Sequence, residues 1–295
     1  MNDAVTTGAL AEFEQARPRL FGIAYRMLGS AAEAEDVVQD AWLRWSGVRE
    51  TVDNPTAYLA TITTRLALTA LDSARVRRES YVGPWLPEPV DTTADPLLGA
   101  ERAEALSLAV LLLLERLRPA ERAAYVLREA FAYSFRDIAD VLETTEENAR
   151  QLASRARAHL SRSRATAVTG AERTRLLEAF VAAAGSGDLA RLETLLAADA
   201  VTLSDGGGVV SAARKPVLGR ARVAQFLLGV LEKFASDLVP VPVSANGELA
   251  FVGLRDGVPA AFWTMDVAAD GVAQVLIVLN PAKLSRFERL SSPSS

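Results

Sequence analysis

Six side chains in a ten-residue stretch have the chemistry to read a nucleic acid: Asn148, Arg150, Gln151, Ser154, Arg155 and Arg157. All can donate to phosphate oxygens, and Asn, Gln and Arg can also form paired bonds to base edges. On a helix they would occupy the outer face. Behind them Ala149, Leu152, Ala153, Ala156 and Leu160 form an apolar stripe for a core. The preceding segment has its own stripe of Phe135, Ile138, Ala139 and Leu142, opened by Ser134 with Asp137 three residues on. Glu143-Thr144-Thr145 breaks the pattern, and Thr144 with Glu147 reads as a second capping box. Small Ala139 and Ala149 would let the two helices approach near the corner. This pattern predicts a helix-turn-helix whose second helix enters a major groove. The plainer alternative is a solvated helix with an internal Glu146–Arg150 pair, in an ordinary bundle.

The bulk numbers narrow the possibilities. A chain of 295 residues predicts two or three domains, and 50% hydrophobic content predicts globular ones. The absence of cysteine excludes disulfides, thiol chemistry and cysteine-bound zinc. The one histidine, His159, excludes a histidine metal cluster; it is expected near the end of the recognition helix, as a C-terminal cation or a phosphate contact. No metal, cofactor or catalytic residue is expected. The polar N-terminus carries no signal-peptide core, and the apolar run Leu108–Leu114 is too short to cross a bilayer, so a cytoplasmic protein is expected. A net charge of −5 argues against a free-standing, nonspecific DNA binder. A protein held to DNA by a larger partner meets no such conflict.

Residues 10–80 read as helices. Ser30 with Glu33 predicts a capped start, followed by an apolar face of Val38, Ala41, Trp42 and Trp45. Asp36, Gln39, Asp40 and Arg44 fall away from it, on a face open to a partner. Asn54 and Pro55 predict an N-cap and first-turn proline for a long helix with Leu59, Ile62 and Leu66 inward. Tyr58, Thr61, Arg65 and Leu68 lie on another side, and the helix ends in Arg75, Arg77 and Arg78. An aromatic at one end and a basic cluster at the other suit a single strand, although core packing and a solvated helix end are the plainer reading.

Tyr81 to Pro96 holds four prolines and no helical period, which predicts a linker; its Trp85 and Leu86 predict that this linker docks on something. Helices are expected over 100–116 and from Pro119 to Phe131. Beyond Gly170 the pattern predicts helices over 172–184, 188–196 and 219–234. Strands are expected at 201–204, 239–243, 249–254, 260–267 and 272–279, with hairpin turns at Asn246-Gly247, Asp256-Gly257 and Asp270-Gly271. This order predicts an α+β unit in which a curved sheet wraps on helices.

Several segments together resemble a known family. AEDVVQDAWLRW resembles the polymerase-binding helix of region two in bacterial extracytoplasmic-function (ECF) sigma factors, and NPTAYLATITTRL the promoter-melting segment after it. The stretch from Leu117 to Leu160 resembles region four, which reads the −35 element. The last third is similar to SnoaL-like domains of the nuclear-transport-factor-two-like fold. WLPEP (Trp85, Leu86, Pro87, Glu88, Pro89), DGGG (Asp205, Gly206, Gly207, Gly208) and NPAKL (Asn280, Pro281, Ala282, Lys283, Leu284) resemble motifs of the ECF class that carries this extension.

The resemblance implies a multidomain fold: two all-α sigma domains and a C-terminal α+β SnoaL-like cone. The expected parts are region two over 1–80, a linker over 81–105, region four over 106–165 and the SnoaL-like domain over 166–295. Implied partners are RNA polymerase core, through its β′ clamp and β flap, and promoter DNA. Asp36, Gln39, Asp40 and Trp42 would meet the clamp. Asn54, Tyr58 and Arg65 would handle the opened −10 strand, with Arg75, Arg77 and Arg78 on its backbone. Asn148, Arg150, Gln151, Ser154, Arg155 and Arg157 would engage the −35 duplex. The WLPEP, DGGG and NPAKL residues would join extension to sigma core. Thr69 and Asp72 depart from the family's usual acidic and basic residues, and Ala282 replaces a usual acid, which removes any salt bridge from that position.

Two other readings follow from the C-terminal third. A SnoaL-like isomerase or cyclase would use a carboxylate base, for which Asp205 and Asp266 are the candidates, but no histidine or clear polar partner accompanies them. A ligand-sensing regulator would line a pocket with Phe226, Phe251, Phe262, Trp263 and Met265, residues that equally suit a plain core.

Overall fold

The structure is a computed structural model that describes residues 2–48, 52–92, 106–161, 170–234 and 236–291. It divides into two units. One holds residues 2–80 and 106–161; the other holds 81–92 and 170–291. Among the described residues no helix is long and apolar enough to cross a membrane.

The first unit is helical: α1 (Asn2–Leu28), α2 (Ala31–Ser46), α3 (Pro55–Glu79), α4 (Leu108–Leu114), α5 (Pro119–Tyr125), α6 (Phe135–Val141) and α7 (Glu146–Ser161). Val126–Ala130 continues α5 as a π-helical turn, so the helix expected to reach Phe131 widens before it ends. The caps explain the starts. Ser30 Oγ accepts from the Glu33 amide, and Asn54 Oδ1 accepts from the Ala57 amide ahead of Pro55. Leu20, Ile23, Met27, Val38, Ala41, Leu59 and Ala67 build the core of α1–α3. The buried stripe of α3 is not Leu59, Ile62 and Leu66 but Leu59, Ala60, Thr63, Thr64, Ala67, Leu71 and Ala74; Ile62 and Leu66 are half-buried. Small residues face inward because α3 lies close to α1, and Thr64 returns its hydroxyl to the Ala60 carbonyl at 2.8 Å.

The helix-turn-helix forms as its spacing predicts, with two corrections: Val141 is buried with Ile138 and Ala139, while Phe135 and Leu142 are half-buried, and the second cap is displaced. Ser134 and Asp137 make the reciprocal capping box of α6. Glu143 turns the chain at φ 52°, and the amide of Asn148 then donates to Thr145 Oγ1, not Thr144. The cap lies one residue later than the capping-box spacing suggested, because Thr144 Oγ1 instead accepts from the Asn148 side chain at 2.8 Å.

The second unit contains α8 (Gly170–Ser186), α9 (Leu189–Leu195), β1 (Leu196–Asp205), β2 (Val217–Leu218), α10 (Arg220–Phe234), β3 (Val239–Ala245), β4 (Glu248–Arg255), β5 (Val258–Ala268) and β6 (Gly271–Val278), followed by 3-10 turns at Pro281–Lys283 and Ser285–Ser291. The sheet order is β2-β1-β6-β5-β4-β3. Asn246-Gly247 and Asp256-Gly257 both take positive φ, as two-residue hairpin turns require. β1 is longer than its alternation predicts and runs parallel to β6. One sheet face packs Thr202, Met265 and Val275 toward Leu177, Phe180, Val223 and Leu227 of the helices. The opposite face carries Asp205, Phe262 and Val278, with Phe287 stacked on Phe262 at 5.6 Å. Phe262 therefore does not line a pocket with Trp263 and Met265: its place in the alternation puts it on the other side.

Candidate functional site

The most connected polar group in the C-terminal unit is Asp205, the last residue of β1, which is fully buried. Its Oδ1 accepts from the Tyr81 hydroxyl at 2.6 Å and the Gly207 amide at 3.0 Å. Its Oδ2 accepts from the Leu86 amide at 2.9 Å and Lys283 Nζ at 2.7 Å. Its backbone carbonyl accepts from the Leu279 and Asn280 amides. Lys283 Nζ also donates to the Leu86 carbonyl and lies 4.4 Å from the Trp85 ring and 5.2 Å from that of Tyr81. Asn280 Nδ2 closes the ring on Tyr81 Oη at 2.9 Å. A carboxylate and an ammonium are thus buried together with their remaining hydrogen-bonding capacity occupied, the condition under which such a pair is tolerated. Burial, then the bond to Asp205, pushes the Tyr81 hydroxyl well above its ordinary pKa, so it stays a donor.

The glycines of the DGGG stretch each leave room for a different neighbour. A β-carbon at position 206 would stand 2.2 Å from the Val210 carbonyl oxygen, so Gly206 lets the following loop fold back. One at 207 would stand 2.5 Å from Asn280 Nδ2, and one at 208 would stand 3.2 Å from Val82 Cβ. Gly207 and Gly208 also take φ of 63° and 74°. The sequence singled out WLPEP, DGGG and NPAKL, and the structure brings all three together inside one unit. Leu86, Pro87, Glu88, Pro89 and Leu284 are buried, whereas Pro281 and Ala282 are exposed and Trp85 is half-buried. Sequence reasoning missed Tyr81, Asn246 and Arg286. Asn246 Oδ1 accepts from the Val90 amide at 2.9 Å, and Arg286 pairs with Glu88 at 3.3 Å. Val90–Thr92 then runs along the edge of β3, with the Thr92 amide on the Ser244 carbonyl. The open side of a turn residue such as Asn246 was the only signal available, and it reads as hairpin chemistry alone.

In the helical unit, Asp36, Gln39 and Asp40 lie exposed along α2 beside Leu43, and Trp42 packs on Phe13 at 5.0 Å. Tyr58 is exposed against Trp45, while Asn54 spends its side-chain oxygen on the α3 cap. Arg75 pairs with Glu79 and Arg77 with Glu33 at the surface. Two other arginines of the same helix take partners on other helices. Arg65 donates to the Val141 and Asp140 carbonyls at 3.0 and 2.9 Å and pairs with Glu143 at 3.0 Å. Arg78 pairs with Glu115 and donates to the Leu28 carbonyl. Glu115 also holds Arg122, which donates to the Met27 carbonyl at 2.6 Å. Burial, with the second guanidinium nearby, pulls Arg78 down to about 10, and burial pulls Arg122 down to about 9, still charged at neutral pH.

On α7, Arg150, Gln151, Ser154, Arg155 and Arg157 are exposed and Asn148 is half-buried. Arg150 pairs with Glu146 at 2.6 Å and covers the Phe135 ring; Gln151 reaches Glu147 at 3.5 Å. Arg155 pairs with Glu121 at 3.2 Å and Arg157 with Glu129 at 2.5 Å, which ties α7 back to α5 and its π turn.

Of the two carboxylates considered as bases, Asp205 is otherwise occupied. Asp205 is saturated by four donors, and Asp266 lies half-buried on β5 near Glu248, whose carboxyl is pushed up by burial against the opposing pull of Arg173. Phe251 and Trp263 stack at 5.6 Å.

Comparison with known proteins assigns the whole. Residues 13–77 match the model of Sigma-70 region 2, and residues 107–160 match that of Sigma-70, region 4. The chain is 40% identical over 248 residues to the ECF RNA polymerase sigma factor SigJ of Mycobacterium tuberculosis, covering 81% of this chain and 79% of that one. It is 31% identical to the probable ECF RNA polymerase sigma factor SigI of the same species, over 91% of this chain and 92% of that one. The crystal structure of Mycobacterium tuberculosis SigJ superposes with a TM-score of 0.77 at 33% identity, covering 97% of this chain and 100% of that one. The protein therefore belongs to the ECF RNA polymerase sigma factors, in the class with a C-terminal SnoaL-like domain, and works with polymerase core and promoter DNA by binding, not catalysis.

Proposed function

We propose that the C-terminal domain controls this sigma factor in cis by holding the linker between its two promoter-reading regions. The observation that carries this is the burial of Asp205 against Tyr81, the Leu86 amide and Lys283. Residues 81–92, nearly half of the 81–105 linker, are thereby fixed to a domain that itself reads no promoter. Two weak DNA contacts become one strong contact only when their tether lets both be made at once, through effective concentration. A tether fixed along half its length restricts the geometries in which regions two and four can act together. Release restores them.

In the same proposal Asp36, Gln39, Asp40 and Trp42 meet the β′ clamp, and region four meets the β flap. Tyr58 captures an unpaired base of the −10 strand, with Arg65, Arg75, Arg77 and Arg78 on its backbone and Asn54 supporting the helix start. Arg65 and Arg78 must leave their present partners to take part. Asn148, Arg150, Gln151, Ser154, Arg155 and Arg157 engage the −35 duplex, with Arg150, Arg155 and Arg157 exchanging glutamates for phosphates. Melting is driven by binding energy, in the cytoplasm where polymerase works. Truncation from about residue 170 onward tests the control. It should retain co-elution with polymerase core and change run-off output; output unchanged over a range of truncation points would remove the regulatory role.

A further inference from the structure

One arginine of α7 is held twice. Arg155 and Arg157 each take a glutamate, Glu121 at 3.2 Å and Glu129 at 2.5 Å. Arg150 takes Glu146 at 2.6 Å and, in addition, sets its guanidinium carbon 5.0 Å from the centre of the Phe135 ring. Phe135 is the first residue of α6, placed there by the Ser134–Asp137 capping box, and it stays half-buried while Ile138, Ala139 and Val141 fill the core. The same ring carries a second guanidinium, that of Arg128, whose carbon lies 4.7 Å from the ring centre. Arg128 Nη1 donates to the Tyr133 carbonyl at 2.8 Å, which ties this side of the stack to the main chain.

The two holds on Arg150 respond differently to DNA. A phosphate competes directly with Glu146 for the guanidinium hydrogens, and an exposed pair of this kind contributes little in water. A ring attracts the cation through its face and leaves the in-plane N–H groups free to bond to an anion. Fixing a long side chain on a partner costs rotamer freedom, and a head that is already seated loses less of it. We infer that Phe135 is a positioning residue of the −35 interface: it keeps the Arg150 guanidinium in place while Glu146 gives way to a phosphate, and Arg128 braces the ring. Phe135 acts through Arg150, not by touching DNA. The role rests on the −35 reading of Arg150 proposed above.

The seat is tested first without DNA, in the full-length chain labelled with nitrogen-15 and carbon-13. A through-space contact between the Arg150 Nε–H proton and the Phe135 ring protons is expected, and its absence would overturn the seat whatever the variants do. The role is tested with holoenzyme built from the full-length chain and polymerase core. Binding is read by the anisotropy of a labelled −35 duplex that the parent holoenzyme selects from a randomised pool. Phe135→Leu should weaken binding about two- to fivefold, the size of an exposed cation–π contact. Phe135→Tyr should bind as the parent does, and Phe135→Leu added to Arg150→Gln should weaken binding no further than Arg150→Gln alone. A Phe135→Leu loss that persists in full beside Arg150→Gln would assign the ring a purely structural or direct role and refute the positioning one. Parent-like binding by Phe135→Leu, with Arg150→Gln weakened, would refute the positioning role alone. Parent-like binding by Arg150→Gln would refute the −35 reading of Arg150, and the positioning role with it.

Discussion

Two buried ionic centres hold this molecule, and they are built differently. In the C-terminal unit one carboxylate, Asp205, faces one ammonium, Lys283, with a phenol and two amides completing its shell. In the helical unit one carboxylate, Glu115, faces two guanidiniums, Arg78 and Arg122. The first centre is balanced in charge and fixed sterically by glycines that admit Asn280 and Val82. The second sets two guanidiniums against Glu115, with Glu33 also acting on Arg78, and burial is the first cause of the lowered pKa values of both arginines. Backbone carbonyls of Leu28, Met27 and Leu114 offset that burial only in part. A balanced centre is suited to staying shut until a partner or ligand acts on it. An unbalanced one is suited to yielding when an anionic surface such as DNA competes for its arginines, and Arg78 is among the residues expected to meet the DNA backbone.

The largest expected effect comes from removing the balanced centre's acid. Asp205→Ala leaves Lys283 buried without its counter-charge, which costs about 3–5 kcal/mol. Limited proteolysis should then cut within 81–92 faster than it does in the parent chain. Protection retained in the variant would show that the aromatic and proline packing holds the linker without the ion pair. Glu115→Gln should cost less, about 2–4 kcal/mol, because Arg78 keeps some access to water and both arginines keep carbonyl partners. Urea unfolding followed by far-ultraviolet circular dichroism, which the helical unit dominates, measures it. A loss equal to that of Asp205→Ala would erase the distinction between the two centres.

Gly207→Ala should destabilise the clasp by about 1–3 kcal/mol, since it combines a left-handed backbone with a clash on Asn280. Gly219→Ala, also at positive φ but with open space around it, should cost only the backbone part. Equal losses would mean that the approach of Asn280 contributes nothing. The smallest effect is a pH dependence. The folded state holds the Tyr81 proton more tightly than the ordinary tyrosine value of 10.0, so its contribution is fully present below pH 10. It is lost as pH rises from there through the raised folded value, because the unfolded chain releases the proton first. Tyr81→Phe should remove about 1 kcal/mol and flatten that part of the profile. A parent profile already flat above pH 10 would contradict the bond to Asp205.

How much of this was legible in the sequence differs between the two units. The helix-turn-helix was largely readable, because capping and a 3.6-residue stripe are local; the N-cap moved from Thr144 to Thr145 when Asn148 took the first hydroxyl, and Val141 is buried where Phe135 and Leu142 are only half-buried. The hairpins at Asn246 and Asp256 were readable for the same reason. The parallel pairing of β1 with β6 was not, since nothing in a strand's alternation names its neighbour. At the clasp the motifs pointed to the right residues, yet Tyr81, Asn246 and Arg286 went unseen because each acquires its partner from a distant segment. Helix position alone did not show that Arg65, which stays exposed, and Arg78 take their partners Asp140, Val141 and Glu115 from the other sigma region.

The central claim is that the C-terminal domain restrains the sigma regions through the linker. Run-off transcription with polymerase core and a promoter this protein reads tests it most directly, comparing the parent chain with Asp205→Ala and Lys283→Met at equal core occupancy. The account predicts that both variants co-elute with core as the parent does and raise run-off several-fold. Output equal to the parent's, from variants whose linker proteolysis shows the clasp open, would contradict it.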